Sequence, residues 1–167
     1  MSKKKVIPTK KSAYINARLS QLRLVSERAS TAQILPSTQP MQLQTEVTSG
    51  FSIGINSPNE PTLIVMRIDY KAILKILGTD NKILEYEATH EAMFAIERWA
   101  GFDDWTNMPT DGITPYMTII NNIALRKAEG TILEMGFKGI ALPQPERFDG
   151  ILTSVNMVSA DATKTGK

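Results

Sequence analysis

The sequence predicts an α+β fold: a four-stranded antiparallel sheet of long strands, one long helix and a short C-terminal helix. Three observations carry this. Four segments alternate apolar and polar residues with the period of a half-buried strand, each about 15 residues long against a usual 5–6. Short turns join the last three, which makes antiparallel order the economical topology. One later segment has helical spacing between start and stop signals.

The first strand is read from "SAYINARLSQLRLVSERAS", where the parity of Leu and Ile changes near Gln21 and a β-bulge accounts for the change. "TAQILPSTQP" follows as a loop carrying two apolar residues, Ile34 and Leu35. In "MQLQTEVTSGFSIGI" the alternation runs through Met41, Leu43, Thr45 and Val47, then Phe51, Ile53 and Ile55. After the turn "SPNEP", a third strand places Ile64, Met66, Ile68, Tyr70, Ala72 and Leu74 on one face. The turn "GTDN" leads into "ILEYEATHEAMFAIE", whose composition favours helix. A helical stripe there would join Ile83, Glu87, His90, Phe94 and Glu97, which is no apolar face. Period two instead sorts Leu84, Tyr86, Ala88, His90, Ala92, Phe94 and Ile96 from Glu85, Glu87, Thr89 and Glu91, so the segment is a strand.

A loop holding both tryptophans precedes the helix "TPYMTIINNIALRKAEG". Thr114 suits its cap, Pro115 its first position and Gly130 its end. Beyond the helix, Pro143 and Pro145 break an extended stretch, and a short final helix is placed from about Glu146. Residues 1–12 read as a basic disordered tail, 13–155 as one domain and 156–167 as a disordered tail.

The chain has 167 residues, enough for one domain with a sizeable core. No apolar run approaches the roughly 20 residues of a membrane span, and no secretory h-region follows the N-terminal lysines, so cytoplasmic residence is expected. Five lysines in the first eleven residues lack interleaved aromatics, which argues against nucleic-acid binding. Without cysteine there is neither a disulfide nor a thiolate metal site. "HEAMF" begins like a zinc-protease helix, but the second histidine is missing and the segment is a strand. Asp103, Asp104 and Asp111 lack the spacing of a calcium loop. No phosphate-binding loop or nucleophile elbow occurs. The expectation is no enzyme, no metal and no cofactor; a carboxylate-pair enzyme is the outlying reading.

On a helical wheel Tyr116, Met117, Ile119, Ile120, Ile123 and Ala124 spread over nearly half the circumference. A helix that merely covers a sheet needs an arc of roughly 100°. The surplus points to an oligomer interface or a binding groove, unless the segment 131–154 folds back to cover it. Glu85, Glu87 and Glu91 form an acidic row, either a solvated face or a docking strip for a basic partner.

Several segments, in order from Ala17 to Leu152, resemble the SecB family of export chaperones. They are "TQPMQLQTEV", "VMRIDYKAIL", "MFAIE", the helix "TPYMTIINNIALRKAEGT" and "LPQPERFDGIL". The resemblance implies a homotetramer, a dimer of dimers built through the helices. It also implies ATP-independent holding of unfolded chains in hydrophobic grooves between the helix and the loop joining the first two strands. Ile34, Leu35, Tyr116, Ile119 and Ile123 then fall at the groove, and Met117, Ile120 and Ala124 at the oligomer interface. Glu27, Glu85 and Glu87 fall on the outer-face acidic strip with which the export branch docks the motor SecA. Arg23 stands where that branch is acidic, and Thr38 replaces its tryptophan. These departures tilt the reading from export of preproteins toward a second branch, which protects an antitoxin, or toward a solitary chaperone. The alternative is an oligomeric structural or adaptor protein of the same fold that holds no client.

Overall fold

The structure is a computed structural model that describes residues 13–32, 42–105, 108–144 and, by backbone alone, 152–157. Both predicted tails fall largely outside these residues, as do Ile34 and Leu35.

Strands β1 (Tyr14–Thr31), β2 (Leu43–Ile55), β3 (Leu63–Ile76) and β4 (Lys82–Ala100) precede helix α1 (Thr110–Glu134), and β5 (Leu152–Met157) follows it. The sheet order is β1-β4-β3-β2-β5. Strands β2, β3 and β4 form an antiparallel meander, and β1 returns beside β4, giving a Greek-key order. The four long strands and the long helix bear out the predicted architecture. The short turns do as well. At 56–62 the Asn56 carboxamide oxygen accepts the backbone N–H groups of Thr62 (3.0 Å) and Leu63 (3.1 Å). At 77–81 the chain reverses through Gly78, whose φ of +78° is a left-handed conformation open to glycine.

Alternation placed the core correctly. Ile64, Met66, Ile68, Tyr70, Ala72 and Leu74 of β3 are buried, as are Leu84, Tyr86, Ala88, His90, Ala92 and Phe94 of β4. With Phe51, Ile53 and Ile55 they form the inner face of the sheet, which α1 covers through Ile113, Met117, Ile120, Ala124, Ala128 and Ile132. Each such aliphatic side chain contributes about 1.5–3 kcal/mol on burial. That outweighs the helix propensity of the β4 sequence.

Two expectations are corrected. First, α1 begins four residues before Thr114 and runs beyond Gly130. The added first turn buries Ile113 and lays Gly112 against Ile15, 3.6 Å from where a β-carbon would stand. Pro115 thus sits inside the helix, and Thr114 donates from its hydroxyl to the Thr110 carbonyl at 2.9 Å. Termination belongs to Gly136, with φ +94°. Its N–H bonds to Leu133 O at 3.0 Å and the Phe137 N–H to Ile132 O at 3.2 Å, the paired bonds of a Schellman motif. Second, the short C-terminal helix is not what Leu152–Met157 forms. These residues are a strand, parallel to β2, that reaches into the presumed tail at Asn156 and Met157. Residues 145–151, where that helix was to begin, lie outside the described residues.

Candidate binding seam between the helix and the first strand

β1 is an edge strand whose pairing with β4 slips at Asn16/Ala17, Leu19/Gln21 and Leu24/Ser26. The second slip is the parity change read near Gln21. Its effect is to keep leucines on one side: Leu19 lies opposite Phe94, Leu22 opposite Ala92 and Leu24 opposite His90, all inner-face residues of β4. Directly opposed residues share a face, so the three leucines point to the side occupied by α1. They are nevertheless open, at 41%, 40% and 42% exposure.

Helix α1 runs alongside β1 and touches it near both ends. At one end the Tyr116 hydroxyl accepts the Ala17 N–H and donates to the Ile15 carbonyl, both at 2.8 Å, serving backbone groups at the first slip. The ring also stacks edge-on against Phe94, with centroids 4.9 Å apart. At the other end Glu27 accepts from the Thr131 hydroxyl at 2.9 Å and pairs with Lys127 at 3.4 Å. Between these clasps lies an apolar seam formed by Leu19, Leu22 and Leu24 with the exposed Ile119 and half-buried Ile123.

Electrostatics at the far clasp follow from burial. Burial works to raise the Glu27 carboxyl, but the Thr131 bond and the Lys127 charge outweigh it and leave the group below its ordinary range. Burial lowers His90; the Glu27 charge opposes this and the Lys127 charge adds to it. Tyr86, buried beside Glu27, is raised. Tyr70 is raised to about 12 by burial and then by the Glu129 charge.

The predicted site residues are therefore redistributed. Ile119 and Ile123 flank the seam. Tyr116 lies at its end but is 8% exposed, with its hydroxyl committed to β1. Met117, Ile120 and Ala124, expected at an oligomer interface, have no exposed surface and pack on the chain's own sheet. Leu19, Leu22 and Leu24 were not singled out, since the parity change has to be resolved slip by slip before they share a face. The fold-back alternative is half realised. Leu142 is buried and Met135, Phe137 and Ile140 pack on the core, yet the described residues leave the seam open.

The acidic strip is also divided. The third slip of β1 turns Glu27 toward α1, opposite Ala88, so it does not share the outer face with Glu85 and Glu87. On that outer face Glu46, Glu85, Glu87 and Glu91 each meet a cation. Lys71 pairs with Glu85 and, at 2.6 Å, with Glu87. Arg23 holds Glu91 at 2.7 Å and Lys75 holds Glu46 at 2.8 Å. The Lys71 bond and charge hold Glu85 below the usual carboxylate range. A hollow of about 540 Å³ in this face is lined by the same self-paired groups, among them Lys71, Glu87, Asp69 and Thr89. No three side chains of metal-ligating type converge among the described residues. No helix there is long and apolar enough to cross a membrane.

No family model matches the chain, and no curated protein matches it in sequence. A solved structure does match in fold: the Mycobacterium tuberculosis SecB-like chaperone Rv1957, in complex with a ChAD peptide from the antitoxin HigA1. The TM-score is 0.61 at 13% identity, over 77% of this chain and 89% of that one. The SecB-like fold expected from the sequence is thus the fold observed.

Proposed function

We propose that this protein is an ATP-independent holding chaperone that binds non-native polypeptide. The observation that carries the reading is the open seam of Leu19, Leu22, Leu24 and Ile119, in a fold similar to that of a chaperone solved with a bound peptide. A contiguous exposed apolar surface on a soluble domain marks an interaction site. It has two occupants in this proposal. A second copy of the chain covers the leucines of β1, as the first step toward a tetramer. Client chains lie along Ile119 and Ile123, with Ile34 and Leu35 contributed by the segment between β1 and β2. The protein catalyses no reaction and uses no cofactor.

Client class follows from the outer face. Glu46, Glu85, Glu87 and Glu91 are paired with Lys75, Lys82, Lys71 and Arg23, which leaves little net field there to steer a basic partner and weighs against SecA docking. An antitoxin or other aggregation-prone chain is therefore preferred to exported precursors. The test is light scattering from a chemically denatured protein diluted into buffer without ATP. One chaperone assembly per client should suppress most of the scattering. Unchanged scattering at that ratio would overturn the proposal and favour an adaptor that holds no client.

A further inference from the structure

The outer flank of β2 is half filled by the chain's own C-terminus. β5 pairs with Phe51–Ile55, while Leu43–Gly50 have no strand on that side among the described residues. An edge of unpaired N–H and C=O groups is a template for another extended chain. β5 itself demonstrates that this edge accepts one. Its hold is slight: six residues, a register shift beside Ser52, and parallel pairing, which is slightly weaker per residue than antiparallel.

The two sides of this flank differ. Toward the helix stand buried Phe51, Ile53 and Ile55 and the half-buried Leu43 and Val47; on the other side Glu46 is held by Lys75. A strand added here meets apolar surface with alternate residues and water with the rest. Unlike the β1 edge, the described part of this flank presents no widely exposed leucine or isoleucine for a second copy to bury. Its offer is backbone hydrogen bonds, which do not depend on sequence and so suit clients of varied sequence.

We propose that the outer flank of β2 is a strand-addition site for an extended non-native polypeptide with apolar residues at alternate positions. β5 is its resident occupant, displaced when such a segment binds. This rests on the holding activity proposed above and assigns part of that activity to a particular edge.

The cysteine-free chain permits a direct test. Ser52 and Ser154 are opposed in the β2–β5 register. Neighbouring strands lie about 4.8 Å apart, within the roughly 4.4–6.8 Å that a disulfide spans between α-carbons. The variant S52C/S154C, oxidised, locks β5 in place; reduced, it releases it. The probe is a fluorescein-labelled unfolded peptide alternating Leu or Val with Ser or Gln, followed by anisotropy. Oxidised protein should bind about tenfold or more weakly than the same protein reduced, whereas the same oxidant should leave the affinity of each single-cysteine variant where it was before oxidation. Far-UV circular dichroism checks that all forms are folded. Equal binding by oxidised and reduced protein overturns this assignment alone. A change of assembly size on locking, with peptide affinity unchanged, gives the edge to a second copy and also overturns it. Failure of the wild type both to bind the peptide and to suppress aggregation removes the holding reading and this inference together.

Discussion

His90 sits on the inner face of β4 with 3% of its surface exposed, and its Nε2 has no hydrogen-bond partner among the described residues. Burial holds the imidazole below its ordinary value near 6.5. Below that pH the unfolded chain takes up a proton that the folded chain refuses. Stability is therefore full above pH 6.5 and falls as pH drops through the window beneath it, by at most about 1.4 kcal/mol per pH unit. Urea melts at pH 7.5 and 5.5 should show the loss, and His90→Leu should flatten it; an unchanged slope in the variant would refute the account. The sequence placed His90 on the inner face because β4 keeps its alternation from Leu84 through Ala92. The resemblance put Glu27 on the outer strip; the slip at Leu24/Ser26 sets it opposite Ala88 instead, and nothing in "LRLVSER" marks that slip.

At the scale of elements, strands announced themselves and helix ends did not. Alternation in β3 and β4 reports burial directly, since every second residue is sealed beneath α1. Gly130 and Thr114 carry good stop and start chemistry, yet packing of Ile113 and Ile132 extends the helix past both. The two glycines at the far end consequently differ. A β-carbon on Gly130 meets open space in a helical backbone, whereas Gly136 has φ +94°. Gly130→Ala should stabilise the fold by about 0.5–1 kcal/mol, a rise in Tm of about 1–4 °C. Gly136→Ala should lower it, because alanine resists the left-handed turn. Calorimetry of the pair distinguishes the two; a gain in both would contradict the terminator assigned to Gly136. β5 escaped the sequence reading because "LTSVNM" is short, lacks clean alternation and comes after two prolines.

The whole molecule is a sheet with one face sheltered and two unlike edges. β1 offers apolar side chains, whereas the flank of β2 offers chiefly backbone. Leu22→Asp should abolish the proposed self-association through β1 while leaving each chain folded, because Leu22 is 40% exposed and makes no part of the core. Sedimentation velocity reads the result, and an unchanged size would move the interface off β1. The junction of sheet and helix carries a reporter of its own, where Trp99 and Phe102 pack edge-on against Trp105 at 5.3 Å and 4.9 Å. These are the chain's two tryptophans, and Trp105 is sealed from water. Intrinsic fluorescence is thus a gauge of that one junction: it shifts red when β4 and α1 part company. Traffic along the far edge of the sheet leaves it silent.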